Sequence, residues 1–305
     1  MLKNLDSLVK LALGKQPKTL VVVHADDEFV MDAVCQATRL GMIKPILIGD
    51  QAKIKELLTL NKITTGYEII HETNDDIEVR LAMDLINQGK ADILMKGLLD
   101  TKILLKGVVN SEFGIKKYKL LSHVGMVEFP HLDRILFATD GAMNIQPSIE
   151  EKILLIENAV HLTKALGYEQ PKVGLVSAVE KLNPKIISTV EAESIKAYYY
   201  DHPQTEFLID GPFAIDNLVS MASVHHKGLG GPVAGKADIL VFPNLDGGNI
   251  FYKTSVFLGL AKAAGIIIGA KVPIVLTSRA DDSDTKLNSI ALAVGYSHGL
   301  SNLSH

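Results

Sequence analysis

One cysteine, four arginines and no long apolar run set the first limits on this chain. A lone Cys35 excludes an internal disulfide and any cysteine-rich metal site. No stretch approaches the roughly 20 apolar residues that a membrane span needs. The opening MLKNLDSLVKLALGK is apolar at helical spacing, but Asp6 interrupts it and no small-residue cleavage site comes after it, so it reads as a helix and not as a signal peptide. Basic tracts are absent and the net charge is −4, which argues against a nucleic-acid partner. Low-complexity linkers and short repeats are missing too. What remains is a chain of 305 residues, 47% hydrophobic and 22% charged, long enough for one large domain or two of ordinary size. It is expected to be cytoplasmic, with neither membrane nor nucleic acid among its partners.

Helix and strand patterns alternate almost throughout. Strands are expected at Thr19–His24, Pro45–Ile48, Tyr67–His71, Asp92–Met95, Leu121–Val127, Ile135–Ala138, Lys172–Ser177, Glu206–Ile209, Asp238–Phe242 and Pro273–Thr277. Most are short and rich in Val, Ile and Leu, as strands covered on both faces should be. Between them, Asp26–Leu40, Ile77–Gln88, Ile149–Leu166 and Pro184–Tyr198 are amphipathic at helical spacing. Asp50 and Ser148 suit N-caps, and Gly41 and Gly167 suit C-terminal stops. This alternation implies a mainly parallel α/β sheet with right-handed crossovers, mixed where Leu121–Ala138 runs strand to strand. If the chain forms two domains, they join near Thr139 and near Thr277, giving 1–138 with 279–305 and 139–278.

The segment Gly231–Asp284 is the most informative. It runs GPVAGKADILVFPNLDGGNIFYK, then a stretch read as helical, then VPIVLTSRADDSD. Twice an apolar run stops at small and polar residues, which is where open parallel sheets place their ligands. Gly247-Gly248-Asn249 would let backbone N–H groups approach an anion at a helix start, or would simply form a tight turn. No GxxxxGK[ST] occurs, and GLGGPVAG precedes its strand instead of coming after it, so neither nucleotide fingerprint applies. Arginine occurs only at positions 39, 80, 134 and 279. Arg279, at a strand end beside Ser278, could hold phosphate oxygens or pair with Asp281, Asp282 or Asp284. In TDGAMNIQPSIEEK, Asp140 and Asn144 are pocket residues or an Asx-turn leading to the Ser148 cap. Ser122 and His123 are adjacent on a strand and point to opposite faces, so they are no catalytic pair. His225-His226 lacks a spaced set of further ligands, and no metal site is expected. Cys35 reads as packing.

Together SHVGMVEF, TDGAMNIQPSIEEK, the Pro232–Lys253 loop and VPIVLTSRADDSD resemble the phosphate acetyltransferase and phosphate butyryltransferase family. MKGLLDT at Met95–Thr101 resembles its Lys-Gly element, and the likeness runs in order over nearly the whole chain. The ending SRADDSD…LNSIALA is more similar to the butyryl branch. This resemblance implies direct transfer of a short acyl group between coenzyme A and inorganic phosphate in a ternary complex. It implies two three-layer α/β/α domains with a mainly parallel, mixed sheet, similar to isocitrate/isopropylmalate dehydrogenase, and an active site in the cleft between them. It also implies a homo-oligomer that binds no redox cofactor and uses coenzyme A as substrate. Ser278 would then hydrogen-bond the thiol and Arg279 bind substrate anions. Where the family has its catalytic aspartate this chain has Thr285, which leaves Asp281, then Asp284, as the general base. Lys96, Thr139, Asn144, Gly247, Gly248, Asn249 and Lys253 would line the phosphate, coenzyme A and acyl sites. Acetyl-type relatives tend to have an arginine before Ser-His-Val, and Leu120-Leu121 stands there instead, which suits a more apolar acyl pocket. Competing readings are an acetyl or branched-chain acyltransferase, an NAD(P)-dependent dehydrogenase of the same broad fold, and a non-catalytic sensor of coenzyme A or acyl phosphate.

Overall fold

A computed structural model describes residues 2–278 and 281–303. The chain forms two compact units: Leu5–Leu121 with Ala263–His305, here the terminal unit, and Met1–Asn4 with Ser122–Lys262, the central unit. The changeovers at 121/122 and 262/263 fall earlier than the expected 138/139 and 278/279. The hydrogen bonding accounts for the first of them, because Ser122–Glu128 pairs with Ile135–Thr139 and so stays with the strands of the central unit.

The terminal unit begins with α1 (Leu5–Ala12), β1 (Lys18–Val23), α2 (Glu28–Arg39), β2 (Ile43–Gly49), α3 (Gln51–Leu60), β3 (Glu68–His71), α4 (Asp75–Asn87), β4 (Ile93–Lys96) and α5 (Thr101–Val108). The helices start where a short polar side chain can take an otherwise unpaired amide. Asp27, Asp50, Asn74 and Asp100 each accept a backbone N–H of the first turn of α2, α3, α4 and α5. Gly41, at φ 72°, ends the α2 segment in the left-handed region that glycine adopts freely.

The central unit then carries β5 (Ser122–Glu128), β6 (Ile135–Thr139), α6 (Ile149–Ala165), β7 (Lys172–Val176), α7 (Ile187–Asp201), β8 (Leu208–Phe213), α8 (Ile215–Val219), α9 (Met221–His226), β9 (Ile239–Val241) and α10 (Leu245–Phe257). Ser148 and Glu151 form a reciprocal capping box at the start of α6. Its strand order is β5-β6-β9-β7-β8, with β5 antiparallel to β6 and the rest parallel.

The chain returns to the terminal unit through β10 (Lys262–Ile268), β11 (Ile274–Val275) and α11 (Ser283–Leu303). Strand order there is β3-β2-β1-β4-β11-β10, parallel except where β10 meets β11. Leu20, Val21, Val22 and Val23 are all fully buried, so β1 is covered on both faces. Such burial stabilises the fold by about 1.5–3 kcal/mol per side chain. α11 packs on α1 and α2. Its residues Ile290 to Val294 are solvent-free in unbroken succession, so the middle of this helix is enclosed all round.

Two expectations fail here. KAAGIII at 262–268 belongs to a strand, not to a helical stretch. Gly247, Gly248 and Asn249 lie inside the first turns of α10, not in a loop before it. Cys35 is buried in α2, and burial pushes its thiol up to about 11, so it stays a packing residue. No helix among the described residues is long and apolar enough to cross a membrane.

Candidate active site

Each unit gathers some of the singled-out residues at the carboxyl ends of its strands. In the terminal unit Lys96 closes β4 and is only 6% exposed. Its Nζ donates to the carbonyl oxygens of Gly97 and Leu99, both at 2.9 Å, so the ammonium is folded under the turn at the end of its strand. That turn is pressed onto the end of β1. Gly97 N–H donates to Val23 O at 2.8 Å and Leu98 N–H to His24 O at 3.1 Å. A Cβ on residue 97 would stand 1.9 Å from the His24 carbonyl oxygen, so only glycine permits this approach.

Ser278 comes a short step after β11. Its N–H donates to Asp281 Oδ2 at 2.7 Å, and the Asp281 N–H returns to the Ser278 carbonyl at 3.2 Å. Asp282 Oδ1 accepts the Thr285 N–H at 2.8 Å at the start of α11, where Asp284 is exposed in the first turn. The acidic trio therefore divides: Asp281 clasps Ser278, Asp282 takes a helix-start amide, and Asp284 faces water. Arg279 lies outside the described residues. Sequence reasoning missed Lys286, which is 3% exposed and donates from Nζ to the Asp281 carbonyl oxygen. The available signal was the one lysine of this helix, just before its apolar run. Lys96, Gly97, Thr277, Ser278 and Lys286 border a small cavity of about 160 Å³. Asp27 lines it as well, and both ammonium groups already donate to backbone carbonyl oxygens.

In the central unit Asp140 organises the turn after β6. It is 2% exposed. Its Oδ1 accepts the N–H groups of Ala142 and Met143 at 2.8 and 2.9 Å, and its Oδ2 accepts the His123 N–H and Asn144 Nδ2 at 3.1 and 2.6 Å. These bonds make an Asx-turn at the start of the segment. Thr139 is fully buried and its hydroxyl donates to the His123 carbonyl at 3.1 Å. Asn249 reaches over from α10 and donates to the Gly141 carbonyl at 3.0 Å. Gly248 makes that approach possible, since a Cβ there would meet the Asp140 carbonyl oxygen at 2.4 Å.

Thr139, Asn144, Gly247, Gly248 and Asn249 are thus brought together, and of the two glycines it is Gly248 that serves close packing, while a Cβ on Gly247 would find ordinary contacts at 3.5 Å. The Gly247 N–H is occupied by its cap, Asn244 Oδ1, at 3.0 Å. Lys253 sits further along α10 near the rings of Tyr252 and Phe257. Ser122 is buried and its Oγ accepts from Asn158 Nδ2 at 2.9 Å. Beside Gly247 opens an apolar cavity of about 790 Å³, walled by Phe129, Val176, Phe242, Ile250 and Phe251. Its size and lining suit a flexible small-molecule chain, not an ion.

A mostly parallel α/β fold with strand-end turns of this kind is similar to that of a phosphotransacylase. The solved branched-chain phosphotransacylase from Enterococcus faecalis V583 matches with a TM-score of 0.83 and 34% identity, over 92% of this chain and 99% of that one. The family model described as "Phosphate acetyl/butaryl transferase" matches residues 58–294. The phosphate butyryltransferase of Clostridium acetobutylicum is 40% identical over 294 residues, which is 96% of this chain and 98% of that protein. The phosphate acetyltransferase of Thermotoga maritima is 39% identical over 289 residues, 95% and 98% of the two chains. This chain belongs to the phosphate acetyl- and butyryltransferase family, a family of acyltransferases.

Proposed function

We propose that the chain transfers a short acyl group, butyryl by preference, between coenzyme A and inorganic phosphate. Butyryl-CoA and phosphate give butyryl phosphate and free coenzyme A: a phosphate oxygen forms a bond to the acyl carbon, the carbon–sulfur bond breaks, and the thiolate takes up a proton. The observation that carries this reading is the full-length match to acyltransferases of this family, together with Ser278 and its acidic neighbour at a strand end. In the reverse direction a coenzyme A thiol, with an ordinary pKa of about 8.5, needs a base to form the nucleophile. Asp281 is favoured for that role because its carboxylate is already held against Ser278, whereas Asp284 is exposed at a helix start. Ser278 would hydrogen-bond the sulfur, and Arg279, Lys96 and Lys253 would bind anionic groups. Asn249 and Asn144 brace the turn around Asp140, which supports a positioning role for both.

The large apolar cavity beside Gly247 favours butyryl over acetyl, since it offers the acyl chain dry surface to bury. Acetyl and branched acyl groups remain the second reading, supported by the relatives named above. Rates with acetyl-, propionyl-, butyryl- and isobutyryl-CoA at fixed phosphate distinguish these. Intersecting initial-rate lines for acyl-CoA and phosphate are the expected sign of a ternary complex; parallel lines would point to a covalent acyl-enzyme and overturn the direct mechanism. Acyl-CoA and phosphate as substrates support a cytoplasmic location. The exposed Phe257, Leu258 and Leu260 at the end of α10 support assembly into a homo-oligomer.

A further inference from the structure

At the carboxyl end of β1, His24 leaves the strand at φ 57° and points into three carboxylates that the proposed chemistry does not use. Its Nδ1 lies 3.3 Å from Glu78 Oε2 and 3.4 Å from Asp75 Oδ1, while its Nε2 lies 3.2 Å from Asp26 Oδ1. Asp75 and Glu78 share the first turn of α4. Glu78 is 0% exposed; the His24 backbone N–H approaches its carboxylate as a donor, but neither of its oxygens nor His24 Nδ1 has a hydrogen bond of ordinary geometry. A buried carboxylate left in that state is destabilising. One imidazole cannot answer it: Nδ1 offers at most one proton to two carboxylates, and neither contact has hydrogen-bond geometry. Lys53 Nζ is spent on the other oxygen of Asp26, at 3.1 Å.

A metal ion would engage His24 Nδ1, Asp75 Oδ1 and Glu78 Oε2 together. Two donors held about 2.1 Å from one ion, at tetrahedral or octahedral angles, lie about 3.0–3.4 Å apart. The distances from Nδ1 to both carboxylates fall in that interval. Asp26 beside Nε2 supplies the outer carboxylate that metal-ligating histidines commonly have, which keeps the proton on Nε2 and the lone pair on Nδ1. Asp75 is 41% exposed, so an ion could enter from its side and retain water ligands.

We propose that His24, Asp75 and Glu78 form a binding site for one divalent first-row cation of the Mn2+ or Zn2+ kind, with Asp26 orienting the imidazole. Mixed nitrogen and carboxylate donors match those ions better than Mg2+ or Ca2+. The site ties the end of β1 to α4. The His24 carbonyl also receives the Leu98 N–H, so a bound ion would steady the Lys96–Gly97 turn. The site stands whether or not the acyl-transfer reading holds.

The test uses the full chain without a histidine tag, stripped with chelator and titrated with MnCl2 while free Mn2+ is followed by electron paramagnetic resonance. One Mn2+ per chain is expected, displaced by ZnCl2, with a rise in Tm on loading. Asp75→Asn, at a partly exposed position that should leave folding intact, should weaken Mn2+ binding at least about tenfold, and Glu78→Gln should abolish it. No bound Mn2+ or Zn2+ at about 1 mM would overturn the proposal. So would binding of equal affinity in the wild type and in Asp75→Asn.

Discussion

Ser278 and Gly248 show how differently single residues serve this molecule. Ser278 offers a hydroxyl at a strand end, with its backbone already fixed by Asp281. Ser278→Ala should lower kcat for acyl transfer about a hundredfold with the urea midpoint unchanged; an unchanged kcat would remove the residue from the chemistry. Asp281→Asn should reduce kcat far more than Asp284→Asn, and equal effects would reject the choice of base. Gly248 acts through the space it leaves empty. Gly248→Ala sets a methyl 2.4 Å from the Asp140 carbonyl oxygen and should destabilise the central unit by about 1–3 kcal/mol in urea unfolding. Caps such as Asp50 and Ser148 were legible in the sequence, because capping is decided within a few residues. The burial of Lys286 and the grouping of His24 with Glu78 were not, since both depend on which helix turns toward which strand end.

At the level of elements, α10 and β10 carry the main lesson. GGNI and the apolar run after it read as a loop and then a long helix. In fact Asn244 caps a helix that starts before the glycines, and the chain breaks at Leu258–Leu260 before turning into β10. Hydrophobic periodicity cannot separate a short buried strand from the end of a helix, and KAAGIII offers only its three isoleucines as a β signal. The strands around it were placed to within a few residues because their β-branched runs are bounded by polar turns. The α6 capping box should contribute measurably: Ser148→Ala is expected to cost about 1 kcal/mol, read as a lower urea midpoint. The cavity wall offers a specificity test. Val176→Phe fills space beside Phe242 and should lower the ratio of butyryl to acetyl kcat/KM by about tenfold. A ratio left unchanged would move the acyl chain elsewhere.

For the whole molecule, the alternation of strands and helices already announced a mainly parallel α/β architecture, and the antiparallel β5–β6 pair matches the strand-to-strand run read from the sequence. The resemblance implied a homo-oligomer, but the surface proposed for it was not legible, because exposed apolar residues at one helix end stand out only once the fold is known. Leu258, 80% exposed, is the residue to change. Leu258→Glu should shift light-scattering mass toward the single chain, and an unchanged mass would place the interface on another surface. The central claim is the acyl exchange itself. Purified chain incubated with butyryl-CoA should release free thiol only when inorganic phosphate is present, with one butyryl phosphate formed per thiol. Thiol release that ignores phosphate, or that yields butyrate without acyl phosphate, would contradict it.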